Sequence, residues 1–178
     1  IKTDENGNEQ WSKNFGGIEY DSGESVQQNT DGGYIVCGMT GSFGYTLGDV
    51  WLLKTDYQCD TLWTQTFGGI GYEKGYSVQQ TFDGGYMVVG GGSKTIIKTD
   101  ENGNEQWNQC IGETLSPYSD TWSWSLQQTT DNGYVISGSL ILTTDDTSKV
   151  FLIKTDENGN DVYDVAEPFE DTNENGLY

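Results

Sequence analysis

The sequence predicts an all-β fold assembled from a tandem repeat, and three observations predict it. First, one phrase returns almost unchanged: Ile1-Lys2-Thr3-Asp4, Leu53-Lys54-Thr55-Asp56, Ile97-Lys98-Thr99-Asp100 and Ile153-Lys154-Thr155-Asp156. An aromatic follows ten residues after each start, at Trp11, Trp63, Trp107 and Tyr163. Second, Ser25-Val26-Gln27-Gln28, Ser77-Val78-Gln79-Gln80 and Ser125-Leu126-Gln127-Gln128 lie between these phrases. They run into Asp31-Gly32-Gly33-Tyr34, Asp83-Gly84-Gly85-Tyr86 and Asp131-Asn132-Gly133-Tyr134. Third, the phrases start at residues 1, 53, 97 and 153, which are 52, 44 and 56 residues apart. All of that variation falls in two of the four connections of the repeat.

Each repeat reads as four short strands. Strand A is the Ser-Val-Gln-Gln segment. The Asp-Gly-Gly turn leads into strand B, expected over Gly33–Met39, Gly85–Gly90 and Gly133–Ser139. Strand C is expected over Val50–Thr55, Ile96–Thr99 and Val150–Thr155. Strand D is expected over Glu9–Phe15, Thr61–Phe67 and Glu105–Ile111. The C–D link, Asp4-Glu5-Asn6-Gly7-Asn8, recurs at Asp100 and Asp156, and its Gly supplies the positive φ that a bulged hairpin needs.

Strands B and C do not alternate. Tyr34-Ile35-Val36-Cys37 and Val50-Trp51-Leu52-Leu53 are apolar on both faces, the mark of a sheet covered on both sides. Four-stranded sheets stacked face to face around an axis meet that condition, which is the β-propeller arrangement. The polar strand A, with Gln27 and Gln28, suits the innermost position. The fold class expected is therefore all-β, a propeller segment of about three and a half four-stranded blades. Blades are expected at about 22–70, 74–114 and 121–165, preceded by a C–D pair at 1–15, with an acidic linker at 166–178. Trp11, Trp63 and Trp107 are expected at equivalent, largely buried places between adjacent sheets. Three and a half blades leave open edges, so self-association through those edges is a further expectation.

The run Ile-Lys-Thr-Asp-Glu-Asn-Gly-Asn-Glu-Gln-Trp, then Phe-Gly-Gly, then Ser-Val-Gln-Gln-x-x-Asp-Gly-Gly-Tyr-Ile-Val resembles secreted prokaryotic β-propeller repeat proteins over residues 1 to about 163. Its Asp-x-x-Gly-x-x-x-Trp hairpin also resembles the blade hairpin of quinoprotein-type propellers and the sialidase Asp-box. The resemblance implies a fold rather than an activity. With no Arg in the chain, the sialidase arginine cluster has no counterpart, and no quinone or nucleotide is expected.

Composition narrows the function classes. The chain has 178 residues, 28 acids against 8 bases, all of them Lys, no His, and a net charge of −20. Such a surface opposes nucleic acid, which needs a cationic stripe, and anionic lipid. The absence of His removes the commonest general base. Cys37, Cys59 and Cys110 form no CxxC pair, so a thiolate zinc site is not expected. Cys37 reads as a small core residue. Cys59 replaces the turn Gly found at Gly7, Gly103 and Gly159 and is expected at the surface, with a Cys59–Cys110 disulfide left open. The chain opens in mid-strand and stops inside a motif, which reads as an excerpt of a longer secreted polypeptide.

Two candidate sites follow. Asp171, Asn173 and Asn175, with Gly176, match positions 1, 3, 5 and 6 of an EF-hand-type loop, so calcium is the one cofactor expected. The Asp-x-Asn-x-Asn spacing of the C–D links reads as turn chemistry instead. Tyr118, Trp122 and Trp124, in the lengthened D–A link, offer rings for stacking on sugars. Lys2, Lys54, Lys98 and Lys154 recur once per repeat and read as structural partners of Asp31, Asp83 and Asp131. The expected function is a non-enzymatic extracellular or cell-surface module that binds protein or glycan through loops 41–49, 113–122 and 139–149. The alternatives are a fragment of a polysaccharide-acting enzyme using Asp120, Asp145 or Asp146, and a filament subunit.

Overall fold

The computed structural model describes residues 1–45, 47–92, 96–110, 119–142 and 147–162. Among them there is no helix. The strands are β1 (Lys2–Thr3), β2 (Glu9–Trp11), β3 (Asp21–Gln28), β4 (Tyr34–Thr40), β5 (Asp49–Thr55), β6 (Thr61–Phe67), β7 (Lys74–Gln80), β8 (Tyr86–Gly91), β9 (Ile96–Thr99), β10 (Glu105–Gln109), β11 (Ser119–Gln128), β12 (Tyr134–Leu142) and β13 (Thr147–Thr155). They form four antiparallel sheets in chain order: β1-β2, β3-β4-β5-β6, β7-β8-β9-β10 and β11-β12-β13.

The strand plan read from the sequence holds for the first two complete units and needs correction in the third. Of its fourth strand, expected to run to about 165, residues 161 and 162 pair with β13 through the Thr155–Asp161 bridge and the bond from the Val162 N–H to the Lys154 carbonyl, and the rest lies outside the described residues. The segment 139–149, expected as a loop, is instead largely hairpin: β12 and β13 stay in register out to Leu142 opposite Thr147. Trp122 and Trp124 lie in β11 and not in a link.

Two turns repeat because their side chains bond their own backbone. In the C–D link, Asp4 Oδ1 accepts the N–H groups of Asn6 and Asn8, both at 2.9 Å, and Asp100 and Asp156 do the same one repeat apart. The fourth turn position has positive φ in every copy: Gly7 at 83°, Cys59 at 64°, Gly103 at 79° and Gly159 at 81°. Cys59 is buried, not exposed as expected, at 8% accessibility. Its Sγ lies 3.9 Å from the Thr55 hydroxyl, and the equivalent Gly103 and Gly159 are closed in by the preceding unit, where an added Cβ would lie 2.7 Å from the rings of Trp63 and Trp107. The three cysteines are free thiols.

In the A–B turn, Asp31 Oδ1 accepts the Gly33 N–H while Oδ2 takes Lys54 Nζ at 2.7 Å. Lys98 to Asp83 at 2.8 Å and Lys154 to Asp131 at 3.0 Å repeat that pair. Each lysine also donates to the carbonyl of the following Thr, so a buried ammonium is satisfied from both sides. The once-per-repeat lysine is thus structural at Lys54, Lys98 and Lys154.

The sheets pack in series. β5 and β8 are buried along their length, as their two-sided apolar sequence requires. Ile35, Cys37, Val50 and Leu52 meet Val78, Tyr86, Val88 and Ile97; one sheet on, Met87, Val89 and Ile96 meet Leu126, Tyr134, Ile136 and Phe151. The repeated Trp leans edge-on against the Tyr of the next A–B turn: Trp11 on Tyr34 at 6.1 Å, Trp63 on Tyr86 at 5.7 Å and Trp107 on Tyr134 at 6.5 Å. Such pairs contribute about 0.5–1.5 kcal/mol beyond their buried area. These rings are equivalent, as expected, but half-buried and not largely buried, because each meets the next unit edge-on and keeps part of the ring exposed.

Glutamine side chains join the sheets at strand A. Gln27 Oε1 accepts the Gln80 N–H at 2.6 Å, and Gln79 Oε1 accepts the Gln128 N–H at 2.7 Å. In return, Gln80 Oε1 accepts the Thr30 N–H at 2.9 Å, and Gln128 Oε1 accepts the Phe82 N–H at 2.8 Å. β3, β7 and β11 therefore lie beside one another, each carrying the pair of glutamines that the next sheet needs.

Candidate functional site

The three A strands share one defect, and it builds the site. Pairing with strand B skips one residue in each: between Gly23 and Ser25, between Gly75 and Ser77, and between Ser123 and Ser125. The skipped residues are Glu24, Tyr76 and Trp124. A bulge removes its residue from the ladder and re-aims its side chain, and bulges concentrate next to functional sites. Because the strands lie side by side, the three re-aimed side chains belong to one row. Lys74 and Trp122, two positions earlier in their strands, join it.

The row is continuous. Glu24 Oε1 meets Lys74 Nζ at 2.7 Å. Lys74 Nζ sits 5.5 Å from the centre of the Tyr76 ring. Tyr76 stands 4.7 Å from Trp124 and 6.0 Å from Trp122, and the two indoles stack at 6.3 Å with 16° between planes. Trp124 donates its ring N–H to Ser139 Oγ at 3.1 Å, which fixes the ring while 49% of the residue stays exposed. Trp122 rests on Gly91, where any Cβ would come within 2.7 Å of the indole.

Charge in the row is settled by its own pair. Hydrogen bonding from Lys74 holds the Glu24 carboxyl below its ordinary value, and the same bond from Glu24 raises Lys74. Burial raises the Tyr76 phenol. The row therefore presents an ionised acid, an ammonium, a neutral phenol and two indoles. This set can stack on a flat apolar face while hydrogen-bonding its rim.

The end of the sheets from which the D–A and B–C links emerge carries more aromatic surface. Gly17 N–H donates to Asp21 Oδ2 at 2.8 Å, and Gly69 N–H donates to Glu73 Oε2 at 3.5 Å. Each Phe-Gly-Gly link thereby folds over the first carboxylate of the next A strand. That fold leaves Tyr20 and Tyr72 exposed, and they line a pocket with Glu19, Met39, Gly41 and Leu47. Asp21 also accepts hydroxyls from Thr40 and Ser42, and the exposed rings of Phe43 and Tyr45 lie just beyond that junction.

Of the ligand-binding residues expected from sequence, Trp122 and Trp124 come together, while Tyr118 lies outside the described residues. The calcium residues Asp171, Asn173 and Asn175 also lie outside them, as do Asp145, Asp146 and the side chain of Asp120. Among the described residues no group of three or more Asp, Glu or Cys is placed to hold a metal. Sequence reasoning missed Glu24, Lys74 and Tyr76. The available signal was the position just before each Ser-Val-Gln-Gln or Ser-Leu-Gln-Gln phrase, which differs between otherwise repeated segments.

No protein-family model matches the chain and no curated protein matches it in sequence. Among solved structures it is similar to a protein of unknown function from Bacteroides caccae, with 9% identity and a TM-score of 0.52. That match covers 89% of this chain and 71% of the other. The likeness shows a shared all-β fold and carries no activity.

Proposed function

We propose that the chain is a segment of an extracellular or cell-surface β-propeller that binds glycan through the Lys74–Tyr76–Trp122–Trp124 row. The antiparallel four-stranded units, packed in series with their polar A strands side by side, support the propeller reading. The net charge of −20 and the resemblance to secreted repeat proteins support the setting. One observation carries the binding reading: three aromatic rings and an ion pair gathered on the bulges of adjacent strands, with Trp124 half exposed. The partly exposed rings give an apolar surface, with Tyr76 tilted by 57° and 49° to Trp122 and Trp124, and the Lys74–Glu24 pair supplies a donor and acceptors for hydroxyls at its edge. The row favours binding over hydrolysis because it holds a single carboxylate, Glu24, already engaged by Lys74, whereas glycoside hydrolysis uses a pair.

The test is a glycan array of bacterial and host polysaccharides probed with the wild-type chain and with Trp124→Ala, Tyr76→Ala and Asn102→Ala. Asn102 sits in a C–D turn at the opposite end of the sheets. Retained signal for Asn102→Ala, with loss of tenfold or more for the ring variants, is the expected result. Ring variants that fold by circular dichroism and bind like wild type would refute the assignment.

A further inference from the structure

We infer that Asp49 and Glu73 form a calcium site at the junction of the β3–β6 sheet with the β7–β10 sheet. The site uses no residue of the aromatic row and does not depend on glycan binding. It is also distinct from the tail residues Asp171, Asn173 and Asn175.

The two carboxylates come from successive units. Asp49 opens β5, and Glu73 stands just before β7, where the second Phe-Gly-Gly link folds over. Both residues are buried, at 2% and 1% exposure. The Glu73 N–H donates to the Gly48 carbonyl at 2.9 Å, which brings the two side chains to one junction. Their oxygens converge on a single point. A Cβ added at Gly68 would lie 2.0 Å from Asp49 Oδ1 and 3.0 Å from Glu73 Oε2. Gly68 does not have positive φ, so what its missing side chain provides here is room between the carboxylates.

Asp49 Oδ1 is the atom that calls for a ligand. Oδ2 of the same carboxylate accepts the Tyr45 N–H at 2.6 Å, but Oδ1 is buried and accepts no hydrogen bond. A carboxylate oxygen taken out of water needs a donor or a cation to compensate it. A shared proton answers one oxygen, whereas a cation bridges the carboxylates of both units. The donors are all oxygen, which suits a hard cation. They are held in Gly-rich links and not in a rigid octahedral cage, which suits calcium over magnesium. Two carboxylates do not fill a calcium shell of about six to eight oxygens, so main-chain carbonyls and water complete it. The ion then ties the B–C link of one unit to the D–A link of the next.

The test compares the wild-type chain with Asp49→Asn, Gly68→Ala and Asp171→Ala in about 1 mM calcium and in EGTA. Calcium should raise the unfolding midpoint of wild type and of Asp171→Ala by about 5 °C. Isothermal titration of Asp171→Ala should show one bound ion. Asp49→Asn and Gly68→Ala should lose the rise. Gly68→Ala is the sharper variant, because it keeps both carboxylates and fills the space between them. Should Asp49→Asn fail to fold, Glu73→Gln takes its place. A midpoint in Asp171→Ala that calcium does not move overturns the inference, as does a rise that Asp49→Asn and Gly68→Ala retain. An equal rise with magnesium overturns the choice of calcium.

Discussion

Gly103 and Gly7 occupy the same turn position with nearly the same backbone, φ 79° and 83°, yet they stand in different surroundings. Nothing lies within 4 Å of a Cβ added at Gly7, whereas one at Gly103 meets the Trp63 ring at 2.7 Å. Gly7→Ala therefore suffers the left-handed backbone alone, about 1–2 kcal/mol. Gly103→Ala adds displacement of the indole and should cost roughly 1–3 kcal/mol more. Urea unfolding of the two variants measures the difference, and equal losses would mean that Trp63 does not press on the next turn. The same comparison explains why Cys59 misled the sequence reading. A Cys for Gly exchange in a polar turn looks like a surface change. Burial of the position comes from a ring in a different repeat, about fifty residues away in sequence, which no local pattern records.

Among the elements, the A–B turn ties stability to pH. Asp131 is lowered from 3.8 to about 2, first by the Thr129 hydroxyl and then by Lys154. Lys54 lowers Asp31. Burial pushes Asp83 up, but Lys98, Thr81 and the Gly85 N–H outweigh it. A carboxyl that holds its proton less tightly when folded stabilises the fold above its unfolded value and loses that contribution as the pH falls through the folded one. The Asp131 turn should thus lose stability from about pH 4 down to pH 2, and the Asp31 and Asp83 turns should lose theirs in the same direction as the pH falls below about 4. Circular dichroism against pH should show this loss, and Lys154→Met should flatten it; an identical acid profile for that variant would remove the pair from the account. These turns were legible in the sequence because their Asp, Gly and Lys recur at fixed spacing. The extended β12–β13 hairpin was not. Leu140, Ile141 and Leu142 follow strand B without a turn signal, and insertions of equal length gave bends at 41–45 in one unit and strand to Leu142 in another.

For the whole molecule, the serial order of sheets was readable from period and two-sided strands, while the aromatic row was not. Trp122 and Trp124 were visible as aromatics, but what joins them to Tyr76 and Glu24 is a bulge shared by three strands and the glutamine bonds that set those strands side by side. The central claim is that lateral order. Amide hydrogen exchange followed by NMR tests it most directly. Slow exchange is expected at Gln80 and Gln128, whose N–H groups bond a glutamine of the preceding sheet, with fast exchange at Gln28, which has no such neighbour among the described residues. Gln27→Ala should release Gln80 and leave Gln128 protected. Equal exchange at all three amides, or a Gln27→Ala variant that leaves Gln80 protected, would contradict the arrangement of β3, β7 and β11.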